Sequence, residues 1–441
     1  MSQRVSRTLV VVMVCGLLLG PVACGRSTQP PTPVPAPTPS ASPDRAPVVD
    51  VKDLGARGDG RTDDRPAIQA ALDRAHVLSA EVVFPAGRFL LGSSTVPGDR
   101  LLQTFPDQHL RGAGREQTTI IVSPTAGDYV TVIGARTDAT GTGAWSLRGV
   151  TIDQEASRGA ALDVPRMNAV PRMAVRLGDY RAGSSVIVTD SAFVDSDNVN
   201  TLYLFAATIE VSRNRFSEVG GPVGTQTHDH STVYLTATAE DGAQRITGNT
   251  FAGVRGSGGA RTAVETHGGR QDVRNNVITN FLRGFNITGV ASVPAAAVSV
   301  RANRIDHAAI GVQLWSDPAS GAGGRNGLEV VELDDNQMIL DGKVWEALPG
   351  IDIPTSAVLV NPTNTAVIVR VRLTSNVIRY VSTGSSAAAR LYNAAVSCRT
   401  AQLSGAVQVL EAFDNQSLGA PVWIDSSCPH DSTLIRNNQI R

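Results

Sequence analysis

Thr201-Leu202-Tyr203-Leu204-Phe205, Thr232-Val233-Tyr234-Leu235-Thr236, Ala263-Val264-Glu265-Thr266-His267, Gly284-Phe285-Asn286-Ile287-Thr288 and Gly311-Val312-Gln313-Leu314-Trp315 superimpose without gaps. Their second and fourth positions, Leu202/Leu204, Val233/Leu235, Val264/Thr266, Phe285/Ile287 and Val312/Leu314, make the period-2 face that a strand turns toward a core. Segments that repeat in this way are successive rungs of a β-solenoid, in which each unit buries its apolar face against its neighbours. The alternate positions then point outward. Tyr203, Tyr234, Glu265, Asn286 and Gln313 form one row, with Phe205, Thr236, His267, Thr288 and Trp315 beside it. Ala174-Val175-Arg176-Leu177 extends the register one coil earlier and adds Arg176 to the first row. Aromatics, a carboxylate, an imidazole, a guanidinium and amides are groups that grip sugars, so this row is the expected substrate groove.

The rest of the chain agrees with a repeat architecture. Asn followed closely by an apolar residue recurs at Asn214-Arg215-Phe216, Asn249-Thr250-Phe251, Asn276-Val277-Ile278, Asn303-Arg304-Ile305, Asn376-Val377-Ile378 and Asn438-Gln439-Ile440. Each marks a corner, where Asn tolerates left-handed backbone and stacked copies bond one another between coils. These asparagines are structural. The interval from Ala319 to Gly350 breaks the rhythm and is expected to loop out as a groove wall. The length of 441 residues would otherwise suggest two or three domains, but a solenoid of this kind makes one long domain over residues 48–441. A net charge of -1 leaves no polybasic footprint, so nucleic acid is not an expected partner.

Arg4 and Arg7 precede an apolar stretch from Thr8 to Gly20, which reads residues 1–24 as an export signal. Pro21-Val22-Ala23-Cys24 resembles a bacterial lipoprotein processing site, which implies lipidation at Cys24; ordinary cleavage after a small residue such as Ala23 is the alternative. Residues 25–47 are Pro, Thr, Ser and Ala with little to bury, hence an extended tether. The expected location is secreted or cell-surface, with the membrane met only through the lipid. In an oxidising compartment the two cysteines left in the folded region, Cys398 and Cys428, most simply pair, and neither has metal-site spacing.

Val51-Lys52-Asp53-Leu54-Gly55-Ala56-Arg57-Gly58-Asp59-Gly60-Arg61-Thr62-Asp63-Asp64 leads into Pro66-Ala67-Ile68-Gln69-Ala70-Ala71-Leu72-Asp73-Arg74-Ala75. Carboxylates at the start, proline in the first turn and apolar residues at Ile68, Ala71, Leu72 and Ala75 predict an amphipathic helix that plugs the open end of the solenoid. Together with Val82-Val83-Phe84-Pro85-Ala86-Gly87-Arg88-Phe89 and Leu110-Arg111-Gly112-Ala113-Gly114, this stretch resembles the opening of the pectate-lyase-like right-handed parallel β-helix superfamily. That resemblance implies an all-β, right-handed parallel β-helix with a short N-terminal capping helix. It also implies a polysaccharide as the partner, since the superfamily holds polygalacturonases, pectate lyases, other glycan hydrolases and phage tailspikes.

For glycoside hydrolysis two carboxyl groups are needed, one to protonate the leaving oxygen and one to act as nucleophile or to activate water. Glu265 on its strand and Asp229 on the bordering turn are the expected pair, with Asp197 as the alternate one coil back and His230 and His267 tuning protonation or holding hydroxyls. Trp315 and Tyr203 would stack on sugar faces, and Asp153 could reach the upstream end of the groove. The Asn-Thr-Asp, paired-aspartate, Gly-His-Gly and Arg-Ile-Lys pattern of polygalacturonases is not present, which disfavours pectin hydrolysis. A hydrolase of this kind needs no cofactor. Two alternatives remain: a polysaccharide lyase acting on an acidic glycan, with calcium if it follows the pectate lyases or with Arg176 and His267 or Tyr234 if it does not, and a tailspike-like protein that binds glycan without turnover.

Overall fold

The computed structural model describes residues 47–92, 100–124, 126, 129–136, 143–154, 172–196, 200–220, 231–254, 261–290, 295–317, 327–345, 355–361, 368–382, 394–398, 407–419, 422–424 and 430–441. Cys24, the signal segment and the tether up to residue 46 lie outside that set. The described residues belong to one compact unit, Ala46–Arg441. Among the described residues every strand pairing is parallel, and the strands wind as a right-handed parallel β-helix.

Among the described residues most full turns of the chain contribute three strands, and the turns carrying the long strands Val277–Val290 and Arg304–Asp317 contribute two. Among the described residues, thirteen strands form one face, in strict chain order, and the remaining twenty-two form a second sheet. That second sheet is bent into two faces, because the long strands Val277–Val290 and Arg304–Asp317 pair with each other on both sides of the bend. The interior is filled in columns. Phe193, Phe216 and Phe251 stack at 5.1 Å and 4.6 Å between ring centroids, all of them fully buried. Registered side chains at the strand spacing make such columns the natural way to fill a coil.

The corners are held by a ladder of buried amides. Asn214, Asn249, Asn276, Asn303, Asn336, Asn376, Asn415 and Asn438 each donate their side-chain amide to a main-chain carbonyl and, down to Asn415, to the next Asn Oδ1, at 2.7 to 3.2 Å. The sequence expectation is corrected in one respect: left-handed backbone falls on the residue before each ladder amide, at Arg213, Gly248, Asn275, Ala302, Asp335, Ser375, Asp414 and Asn437. The turn needs its reversal one position earlier so that the following Asn can point inward. A second correction concerns the interval from Ala319 to Gly350. Its described part contains the regular strands Leu328–Asp334 and Gln337–Asp341 and the ladder residue Asn336, so those residues belong to the coil.

The helix spans Arg65–Leu78, with Pro66 in its first turn, and buries Ile68, Ala71, Leu72 and Ala75 in the core at the first coils. Asp64 precedes it but does not cap it. Its buried carboxylate accepts instead from the main-chain N–H groups of Arg57 (2.6 Å) and Gly58 (2.9 Å), fixing the loop that leads into the helix. Removing an acceptor that serves two donors in a buried site costs about 2–3 kcal/mol. Asp64→Ala is therefore expected to lower the urea midpoint of the full chain, and an unchanged midpoint would show that the loop rearranges at no cost.

Candidate active site

The groove rows lie on the face built by Met173–Gly178, Leu202–Ala206, Ser231–Ala237, Thr262–His267 and the C-terminal halves of the two long strands. The register is the one the repeats predict: Arg176 pairs with Tyr203, Tyr203 with Tyr234, Tyr234 with Glu265, Glu265 with Asn286, and Asn286 with Gln313. In the adjoining row Phe205, Thr236, His267, Thr288 and Trp315 follow in the same order. Inward neighbours such as Val233, Leu235, Val264 and Phe285 are fully buried. A slip of one residue would have exchanged the two faces.

Glu265 is the centre of the site. Its Oε2 accepts a short hydrogen bond from the Ser231 hydroxyl, and its Oε1 meets His267 Nε2 at 3.0 Å. Both side chains are largely covered, with 13% of Glu265 and 16% of His267 exposed. A carboxylate next to a ring nitrogen fixes the tautomer, placing the proton on Nε2 and leaving Nδ1 as an acceptor. The Tyr234 ring lies 4.6 Å from the His267 ring and 5.1 Å from the Tyr203 ring, over which the Arg176 guanidinium sits at 5.4 Å. Burial, and next the Glu265 charge, push the Tyr234 phenol well above its ordinary value, so it stays protonated at neutral pH. Burial also raises Tyr203, with the Arg176 cation opposing it.

Glu265, His267, Tyr234, Tyr203 and Arg176 are therefore brought together. Trp315 is half-buried at its predicted register position. Asn286 and Gln313 keep theirs but are only 2% exposed, so they do not line open groove as expected. Among the described residues neither Asn286 Oδ1 nor the Thr288 hydroxyl beside it has a hydrogen-bond partner. Asp153 is corrected: it ends Thr151–Asp153, whose partners are Ile121 and Val194 on the neighbouring face, because the chain has yet to turn the corner. Asp229, Asp197 and His230 lie outside the described residues, and so does Cys428. Cys398 is buried and disulfide-bonded. Ser231 is the functional contact that sequence reasoning missed, since a small polar residue opening a strand carries no distinguishing signal. Among the described residues no three His, Cys, Asp or Glu side chains converge as a metal site. Glu265, with both oxygens already engaged, does not supply the hard oxygen cage that calcium requires.

A parallel β-helix with this N-terminal helix is the fold that the resemblance to the pectate-lyase-like superfamily implies. The family described as "Rhamnogalacturonase A/epimerase, pectate lyase-like" matches residues 48–160. The chain is 45% identical over 76 residues to mannuronan C5-epimerase AlgE3 of Azotobacter vinelandii, covering 17% of this chain and 4% of that protein. It is 41% identical over 71 residues to alginate lyase 7 of the same organism, covering 16% of this chain and 8% of that protein. The matched stretches are thus a small part of these relatives. Among solved structures, the A-module of mannuronan C5-epimerase AlgE6 from Azotobacter vinelandii superimposes with a TM-score of 0.55 at 15% identity, over 89% of this chain and 99% of the module. A mutant tailspike protein of E. coli bacteriophage HK620, in complex with a pentasaccharide, gives 0.58 at 17% identity, over 89% and 67%. At these identities the structural likeness is one of fold.

Proposed function

We propose that the protein is an exported polysaccharide lyase that cleaves an acidic glycan by β-elimination on this face of the helix. The observation that carries the proposal is the Glu265–His267 contact beside a protonated Tyr234. A hydrolase needs two carboxyl groups facing the sugar. Glu265 is engaged through both oxygens by its own chain, which suits it to orient an imidazole better than to attack a sugar or protonate one.

In the proposed step His267 Nδ1 takes the C5 proton of a uronate unit, the C5–H electrons form the C4=C5 double bond, and the C4–O4 bond breaks. Tyr234 O–H donates its proton to the departing O4. The imidazolium then returns its proton to the phenolate, restoring both residues. Glu265 is a positioning residue that also stabilises the imidazolium, as an aspartate does in a catalytic triad. Arg176 lies about three coil spacings from Glu265, roughly 14 Å, so it would meet the carboxylate of a flanking unit and select an acidic chain.

The similarity to mannuronan C5-epimerases supports a second reading, because epimerisation begins with the same proton removal. It ends by returning a proton to the opposite face of C5, whereas His267 and Tyr234 both project from one sheet face. Incubating the full chain with polymannuronate, polygalacturonate and neutral glucans separates the outcomes. Elimination gives oligomers with an ultraviolet-absorbing unsaturated end and no added water. Unchanged chain length with inverted C5 would favour epimerisation, products heavier by water would restore the hydrolase expectation, and retained binding without turnover would favour the tailspike-like alternative.

A further inference from the structure

Tyr180 belongs to neither the core nor the two groove rows, and it is 70% exposed. It sits on the turn between Met173–Gly178 and Ser185–Thr189, at the corner where the site's face ends. That turn is firmly built. Asp179 N–H donates to the Phe205 carbonyl at 2.9 Å, and the Asp179 carboxylate accepts from the Arg181 N–H at 3.0 Å and pairs with the Arg181 guanidinium at 3.3 Å. The Ser184 hydroxyl closes the turn on the Asp179 carbonyl at 2.9 Å. Gly178 is required, since a Cβ there would stand 1.9 Å from the Phe205 carbonyl oxygen on a backbone with φ of +148°.

The turn holds the phenol ring against Phe205, with centroids 5.0 Å apart and planes 32° apart, leaving its other face to solvent. From there the rings run on without a break: Phe205 to Tyr203 at 5.7 Å, Tyr203 to Tyr234 at 5.1 Å and Tyr234 to His267 at 4.6 Å. The Arg176 guanidinium lies along this run, over Tyr203. An exposed aromatic face at the end of a line of rings and a cation is matched to a sugar chain carrying carboxylates, whose pyranose C–H faces pack on rings.

We propose that Tyr180 is the sugar-stacking residue of a distal subsite for the acidic chain, so that affinity grows with chain length until the chain reaches it. The inference rests on the functional proposal above. It predicts a length-dependent loss that a ring merely covering Phe205 would not give.

The test is equilibrium binding of graded-length polymannuronate oligomers to the full chain, with neutral glucan oligomers alongside, for the wild type, Tyr180→Ala and Tyr180→Phe. Tyr180→Ala is expected to weaken the longest acidic oligomers about five- to tenfold, the worth of one aromatic contact, with the loss fading as chains shorten. Tyr180→Phe keeps the ring and is expected to bind as the wild type does. Equal weakening at every length, or none at any, overturns the Tyr180 assignment and leaves the functional proposal standing. A wild-type protein that holds no acidic oligomer overturns both.

Discussion

Glu265→Gln is expected to cut turnover of the acidic glycan by about two to four powers of ten while leaving the urea midpoint of the protein close to that of the wild type. The substitution keeps the volume of a largely covered side chain and keeps one oxygen that can accept. The other end becomes an N–H group, which Ser231 can accept through its hydroxyl oxygen in place of donating to Glu265 Oε2. The effect therefore falls on His267. If the amide nitrogen turns toward the ring, the proton is forced onto Nδ1 and the base is lost. If the oxygen turns toward it, the ring keeps its pose and the imidazolium loses its counter-charge. Either way chemistry slows while binding through the aromatic run persists, so kcat should fall far more than KM rises. Near-normal turnover would remove Glu265 from the mechanism and turn attention to Asp229 and Asp197.

The register of this site was legible in the sequence because alternation is a strong physical constraint: a strand with one buried face cannot slip by one residue. Five short segments, extended by residues 174–177, suffice to place Arg176, Tyr203, Tyr234, Glu265 and His267 on one face; the structure pairs the first four in that order and carries His267 on the strand of Glu265. What alternation does not encode is cover. Asn286 and Gln313 point outward by register yet are buried, and a strand pattern states direction without stating exposure. Corners were also only partly legible. Two ladder residues, Asn336 and Asn415, are absent from the corners read in the sequence: Asn336 falls in the interval expected to loop out, and after Asn415 it is Ser417 that stands at the core position where Phe216, Phe251 and Ile278 flag other corners. Asp153 was misplaced for a related reason: a strand pattern says which side chains point out, and says nothing of which of three faces carries the strand. Tyr180 had no pattern at all, since a turn residue is positioned by the backbone bonds of its own turn.

Asn275 and Asn276 are adjacent in sequence and are expected to respond to substitution with very different magnitudes. Asn276 is fully buried, and its Oδ1 accepts from both the main-chain N–H and the side-chain amide of Asn249, each at 3.0 Å. Its own amide donates to the Ile246 carbonyl at 2.9 Å and to Asn303 Oδ1 at 3.0 Å. Asn276→Ala would leave the Asn249 donors and the Ile246 carbonyl without these partners in a site closed to water, at a cost of about 3–5 kcal/mol given 1–3 kcal/mol for each buried group left unmade. Asn276→Asp is no remedy, since it keeps the acceptor for Asn249, removes the donor to Ile246, and sets a charge against Asn303 Oδ1. Asn275 is exposed and holds φ at +56°, a conformation glycine adopts without strain, so Asn275→Gly should change stability by less than about 1 kcal/mol in either direction. Because coils in a solenoid depend mainly on their neighbours, the Asn276→Ala loss should appear first as faster amide exchange in the strands from Ala243 to Arg304 and only then as a lower urea midpoint. Equal behaviour of the two variants would mean that the amide ladder decorates the corner without holding it, and the helix would have to draw its corner stability from the Phe193, Phe216 and Phe251 column alone.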